Sequence, residues 1–151
     1  KDIKLKQKNN IKNKQLEQND FQELINHSHI MAENLLIKQD GEFYPFGAKI
    51  DNQGILINIG HFDGDEFPLS KTKINDLKNI LEKEIEDEKI RAYAITFDCL
   101  AKNENNSEET DAIGIECYSK ENGQRTIYYF PYKRLINNEL EFGEAWGISL
   151  E

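Results

Sequence analysis

The chain beyond residue 89 places the strongest constraint on the fold, because it holds four strand-like segments joined by polar connections. These segments cover residues 90–101, 112–119, 124–132 and 140–150. In the last of them, apolar residues alternate with small or polar ones, which is the period of a strand with one buried face. Strands that follow one another through short turns pair in antiparallel fashion. We therefore expect an antiparallel sheet.

Two helices and one hairpin precede or interrupt these strands. Apolar residues recur at three- and four-residue steps over 15–38 and 71–87, and Ser70 stands where a helix cap is expected. Residues 43–50 and 55–62 surround a polar turn that ends in Gly54, which predicts a hairpin. The fold class is therefore α+β, with about six strands, two helices and the order α-β-β-α-β-β-β-β. We expect both helices on one face of the sheet.

The first fourteen residues differ in composition from the rest of the chain. Residues 1–14 hold six lysines and one aspartate, a charge of +5. We interpret them as a polar basic tail, or as an extension of the helix that follows. Residues 15–151 show no linker and no internal repeat. We expect them to form a single domain.

Charge restricts the partners that this domain can bind. The whole chain carries −9, so the +5 of the tail leaves −14 on residues 15–151. A surface this acidic repels nucleic acid and anionic lipid and attracts basic proteins. The simpler interpretation is that negative charge keeps the domain in solution. No apolar run approaches the ~20 residues needed to cross a membrane.

The cysteines and the first residue leave the compartment open. Cys99 and Cys117 both fall in predicted strands, which favours buried thiols, with a disulfide as the alternative in an exported protein. The chain begins with Lys1, so a cleaved export signal and a trimmed chain fit equally well. A cytoplasmic location is slightly favoured over export.

The common catalytic and cofactor motifs are absent. The sequence has no G-x-G-x-x-G, P-loop, G-x-S-x-G, H-E-x-x-H or C-x-x-C motif. We expect a protein that is not an enzyme and that holds no cofactor or metal. Asp98, inside an apolar strand, is a candidate general base, and an ion-paired structural acid is the alternative.

The densest polar cluster lies between the hairpin and the second helix. His61, Asp63, Asp65 and Glu66 fall within six residues. The segment fits an ordinary turn, a partner contact or a site for a hard cation, but it lacks the spacing of an EF-hand. His27 and His29 stand two apart on a helix, so they cannot easily bind one ion.

Two aromatic-proline segments suggest a contact surface. Residues 43–46 and 128–132 hold seven of the fifteen aromatic residues. A strand buries one face, so several of these rings must cover the second face of the sheet or remain exposed. We name Tyr44, Tyr128 and Tyr132, with Asp63, Asp65 and Glu66, as candidate partner contacts. The alternative is that the tyrosines pack under the helices.

The order of several short motifs resembles a small, uncharacterised bacterial protein family. The motifs are Y-P-F-G-A-x-I-D (44–51), H-F-D-G-D-E-x-P (61–68), A-x-A-I-x-F-D (92–98), D-A-I-x-I (111–115) and F-P-Y-K (130–133). The small, acidic α+β format is also similar to that of toxin-immunity proteins. This resemblance implies an immunity or inhibitor role and assigns no functional residue.

We therefore expect a non-enzymatic bacterial protein that binds a basic protein partner. An exported domain that binds a small ligand or a cation is the alternative. An enzyme of an unrecognised class, with Asp98 or His61 as its acid–base group, is a third hypothesis.

Overall fold

Helices and strands alternate along the chain before a run of five consecutive strands. The computed structural model describes residues 2–38, 41–60, 70–103 and 108–150, with side chains from Asp20 onward. The elements are α1 (Asp2–Lys38), β1 (Phe46–Asp51), β2 (Leu56–Ile59), α2 (Ser70–Glu86), β3 (Ile90–Ala101), β4 (Thr110–Ser119), β5 (Arg125–Arg134), β6 (Leu140–Phe142) and β7 (Trp146–Ser149). Helix α1 includes residues 2–14, which the sequence assigned to a tail or to an extension of the helix.

The seven strands form one antiparallel sheet in the order β2-β1-β3-β4-β5-β6, and β7 pairs with β5. The predicted α+β class, the antiparallel sheet and the order of elements are confirmed. The strand expected over 140–150 is divided into two. Strand β6 pairs with the last part of β5, and β7 pairs with its first part.

The predicted hairpin is present, and a side chain stabilises its turn. The Asp51 carboxylate Oδ1 accepts the backbone N–H groups of Gln53 and Ile55, each at 2.9 Å. Gly54 has a φ of 85°, a conformation that residues with a side chain adopt rarely. Strand β1 begins directly after Pro45, which has no N–H to donate to a neighbouring strand.

Helix α1 packs on one face of the sheet. Its buried side chains include Leu24, Ala32 and Leu36. They belong to the same cluster as alternate residues of the central strands, among them Phe46, Ala48, Ile50, Ala92, Ala94, Ile113 and Ile115. Because alternate residues of a strand point to one face, these positions define the α1 face of the sheet.

Helix α2 packs on the opposite face, so the prediction that both helices share one face is wrong. Its Leu77, Leu81 and Ile85 form a second cluster with Ile90, Tyr93 and Ile95 of β3. In β3 the residues 92 to 96 are all buried. A strand with no polar face must be covered on both sides, and this continuous apolar run was the signal for two opposed helices.

Ion pairs and hydrogen bonds tie each helix to the sheet. On the α1 face, Arg91 of β3 binds both carboxylate oxygens of Asp20, each at 2.8 Å. On the α2 face, Glu82 accepts the Tyr93 hydroxyl at 2.6 Å and pairs with Arg125 of β5. Burial and the hydrogen bond to Glu82 raise the pKa of Tyr93, which keeps the buried hydroxyl neutral.

We predict that Glu82→Gln destabilises the fold by about 1–3 kcal/mol. The substitution removes the carboxylate charge that pairs with Arg125 and accepts the hydrogen bond of the buried Tyr93 hydroxyl. The measurement is the free energy of unfolding in urea at pH 7. Glu86→Gln, at an exposed position of the same helix, is the matched control and should change stability by less than about 0.5 kcal/mol. Equal unfolding midpoints for the two variants would show that Glu82 does not hold α2 in place.

Candidate functional site

A single helix is too narrow to cover the sheet, which leaves part of the α2 face open. A helix with its side chains is about 10–12 Å across, whereas neighbouring strands lie about 4.8 Å apart. Helix α2 packs on β1 and β3. On the same face, β5 and β7 present Ile127, Tyr129, Trp146 and Ile148. The first three are half-buried and Ile148 is 46% exposed.

Three aromatic side chains form a row that runs from β3, beside α2, onto this open part of the sheet. The strand registers pair Phe97 with Gly114, Gly114 with Tyr129, and Tyr129 with Trp146. The Tyr129 and Trp146 rings lie 5.4 Å apart between centroids, with their planes inclined by 32°. We call Phe97, Tyr129 and Trp146 the aromatic row. Rings at this separation stabilise one another and are held by the backbone of four strands.

Gly114 makes the row continuous. A Cβ atom at this position would lie 2.4 Å from the Phe97 ring, so the ring occupies the space above the glycine. Any side chain at 114 would displace Phe97. The row therefore depends on a glycine in the interior of β4, where glycine otherwise weakens a strand.

A buried acid lies beside the row. Glu116 of β4 is directly opposite Ile127 and is 6% exposed. Its carboxylate pairs with Lys78 of α2 at 3.2 Å, so α2 supplies the counter-charge. Burial, together with the nearby Cys99 and Glu116, raises the pKa of Tyr129. The Tyr129 hydroxyl is therefore neutral at physiological pH and can donate a hydrogen bond.

Two exposed carboxylates precede Trp146 in the chain. Glu144 stands two residues before Trp146, and Glu141 of β6 is opposite Lys133. All three charged residues are exposed. Together these three residues carry −1, the same sign as the −14 carried by residues 15–151.

The predicted contact residues do not form one surface in the described part of the chain. Asp63, Asp65 and Glu66, with His61, lie outside the described residues. Tyr44 is 45% exposed in the segment that leads into β1. Of the six candidates, it is the one that the structure places at the surface.

Tyr128 and Tyr132 point to the α1 face, away from the aromatic row. Tyr128 packs against the α1-face cluster, and its ring lies over Gly147. Tyr132 is buried, and its hydroxyl donates to Asp98 at 2.9 Å. Tyr129 and Trp146 were missed, although the alternation in 128–132 and 146–150 separates the two faces. Only the position of α2 decides which of the two faces stays open.

Asp98 is a partly buried, hydrogen-bonded acid on the α1 face of the sheet. Its Oδ1 accepts the Tyr132 hydroxyl and its Oδ2 is buried. Burial raises the pKa of Asp98 to about 6, and the negative charges of Glu42 and Asp111 add to the rise, while the hydrogen bond from Tyr132 opposes it. The pKa of the Tyr132 hydroxyl, which donates to Asp98, is also raised, mainly by burial.

Both cysteines and both histidines of α1 are partly or fully buried. Cys99 and Cys117 are free thiols on opposite faces of the sheet. Burial raises the pKa of Cys99 to about 12, which removes its thiolate at neutral pH. His29 lies between the rings of Phe130 and Phe142, at 4.8 and 4.7 Å. His27 bonds to Asn58 of β2 at 2.9 Å.

The described ranges contain neither a metal-binding cluster nor a membrane-spanning helix. Within them, no three histidine, cysteine, aspartate or glutamate side chains lie close enough together to bind a metal ion. Among the same residues, no helix has the length and apolar character that a membrane crossing requires.

Comparisons of the chain with protein-family models, with curated proteins and with solved structures found no match. The resemblance to an uncharacterised bacterial family and to immunity proteins therefore stays a prediction.

We predict that Asp98→Asn raises stability at pH 7 by about 1 kcal/mol, a figure reduced for the partial exposure of the side chain. The pKa of Asp98 rises from 3.8 to about 6 on folding, so the folded state holds this proton more tightly than the unfolded chain does. The stability that this tighter proton binding contributes is fully present below pH 3.8 and is lost as the pH rises through about 6. Asparagine stays neutral and still accepts the Tyr132 hydroxyl.

The measurement is urea unfolding of both proteins between pH 4 and 7.5. The difference between variant and wild type should grow as the pH rises across this range. Glu86→Gln, at an exposed position of α2, is the control and should follow the wild type. A constant difference between Asp98→Asn and the wild type would contradict the raised pKa.

Proposed function

We propose that this chain is a non-enzymatic protein-binding module and that its partner is a basic protein. The observation that carries the proposal is the aromatic row on the open part of the α2 face. Its rings are half-buried, so each has one side packed on the sheet and another available for a partner. Tyrosine and tryptophan in such positions are the residues that most often dominate the energy of a protein interface.

The rigidity of the row supports a binding role. Tyr129 and Trp146 stand on paired strands rather than on loops, and their rings contact each other. Aromatic side chains have few rotatable bonds, so little conformational entropy is lost when a partner covers them. Ile127 and Ile148 extend the apolar area on both strands next to the rings.

Charge supports a basic partner. Residues 15–151 carry −14, and Glu141 and Glu144 are exposed in the segment that precedes Trp146. A field of this sign accelerates the approach of a basic protein, and the effect weakens with salt. A lysine or arginine that reaches the row also gains a cation–π interaction with Trp146 or Tyr129, worth about 0.5–2 kcal/mol.

The specific form of the proposal is an immunity or inhibitor protein. An acidic module that covers the active surface of a basic enzyme would inhibit it without any chemistry of its own. The acidic α+β format and the aromatic anchors suit this role.

A second surface competes with the aromatic row. A groove of about 380 Å³ on α1 is lined by His27, Ile30, Met31, Asn34, Leu35 and Lys38. Ile30 in this groove is 58% exposed. A partner that binds there would contact α1 and not the sheet, so one substitution in each surface separates the two sites.

We predict that Trp146→Ala weakens partner binding by about 2 kcal/mol, roughly thirtyfold in Kd, whereas Ile30→Ala leaves it unchanged. Both substitutions remove a large, partly exposed apolar side chain, but only the first belongs to the row. The test is affinity capture from a lysate of the producing organism at low salt, with the wild type and the two variants as bait. Calorimetric titration then measures the Kd for the purified partner.

The expected partner is basic, and its capture decreases as salt is raised. Capture that depends on Ile30 instead of Trp146 would move the site to α1. Equal capture by all three baits, or the absence of any basic protein, would contradict the proposal.

A further inference from the structure

Strand β7 is an edge of the sheet. Among the described residues it pairs only with β5, through Tyr129↔Trp146 to Thr126↔Ser149. The opposite side of β7 therefore presents backbone groups without a neighbouring strand. An open edge of this kind is a template for the addition of a further strand.

One hydrogen bond identifies the backbone groups that face the open side. The N–H of Leu150 donates to the carbonyl of Arg125 at 2.9 Å, so residue 150 faces β5. Backbone groups alternate in direction along an antiparallel strand, and Ile148 and Trp146 therefore also face β5. The N–H and C=O groups of Gly147 and Ser149 point outward.

The edge lacks the devices that normally prevent strand addition. Residues 145–150 read Ala-Trp-Gly-Ile-Ser-Leu, with no charged residue and no proline. Gly147, Ile148 and Ser149 are all exposed. Edge strands that must stay unpaired usually carry a lysine, a proline or an inward-pointing charge.

The edge and the aromatic row meet at Trp146. Side chains of an added strand that point to the α2 face would lie beside Trp146 and Ile148, at the cross-strand separation of about 4.5–5.5 Å. A basic side chain at that position would lie against the Trp146 ring. The exposed Glu144 stands two residues before Trp146 in the chain. Strand addition therefore extends the row by one position.

Charge selects the occupant of this edge. A second copy of the chain would bring another −14 from its residues 15–151 to the same edge, and the two copies would repel each other. A basic extended segment is attracted instead. The favoured occupant is a strand of the partner, not a second copy.

We propose that the basic partner adds an extended strand to the open edge of β7. The strand exchanges hydrogen bonds with the backbone of Gly147 and Ser149 and places alternate side chains beside Trp146 and Ile148. This inference rests on the proposed function and specifies how the partner is held: the backbone provides affinity and the aromatic row selects the side chains.

The probe is a blocked octapeptide in which arginine alternates with valine, and the matched controls replace arginine by glutamate or add N-methyl groups to alternate amides. The basic peptide should bind the wild type at low salt, and both control peptides should bind at least about tenfold more weakly. Binding is measured by calorimetry.

Two variants separate strand addition from side-chain contact. Ser149→Pro removes one outward N–H but leaves the inward groups of Ile148 and Leu150 in place, and Ser149→Ala keeps the N–H. We expect Ser149→Pro to lose at least about tenfold in affinity for the basic peptide and Ser149→Ala to bind as the wild type does. Circular dichroism and thermal unfolding verify that both variants are folded.

Amide hydrogen exchange of the wild type tests the same idea without any substitution. Addition of the basic peptide should slow exchange at Gly147 and Ser149. The control is the other sheet edge, where Asp51 N–H donates to Ile55 O, so that the amides of Leu56 and Asn58 point outward and should not change.

The outcomes distinguish the two proposals. If a basic protein binds through Trp146 but Gly147 and Ser149 stay unprotected, or Ser149→Pro binds normally, strand addition is wrong and the binding role stands. If neither the peptide nor any basic protein binds at low salt, both proposals fail. Protection at β2 instead of β7 would place the added strand at the other edge and overturn this assignment.

Discussion

Burial of the two central strands on both faces is the constraint on which the rest of the structure depends. Strands β3 and β4 pair from Ala92↔Ser119 to Ala101↔Thr110, and their apolar side chains point alternately to each side. Neither face can be left to water, because each carries large aliphatic or aromatic side chains. One helix is needed on each side. Arg91–Asp20 and Tyr93–Glu82 then determine where the two helices lie.

The open part of the α2 face is a consequence of that arrangement. Helix α2 must lie over β1 and β3, where its leucines meet Gly47 and the buried side chains of β3. It reaches β4 and β5 through the polar side chains of Lys78 and Glu82. The apolar residues of β5 and β7 beyond this point keep a solvent-facing side. The same packing that stabilises the core therefore leaves open the surface that we propose for partner binding.

Much of the fold could be predicted because the elements are encoded locally. The three- and four-residue steps of α2, the Gly54 turn and the alternation around Trp146 each act within a few residues. The placement of the two helices on opposite faces of the sheet was harder to predict. The two-sided burial of β3 is recognised only when its apolar run is compared with the alternating final segment. The candidate site required the position of α2 over β1 and β3, a relation between residues far apart in sequence.

Strand β5 pairs with two short strands, β6 and β7, which differ in their contacts with the rest of the molecule. Strand β6 is anchored through Phe142, whose ring contacts His29 of α1. Strand β7 pairs with β5 beyond a break at residues 143–145. Apart from Gly147, where a Cβ atom would lie 3.0 Å from the Tyr128 ring, the stretch from 144 to 150 can therefore accumulate substitutions while the core and the helices keep their packing. In a lineage of such chains, the proposed recognition surface can diversify there quickly, and the scaffold need not change with it.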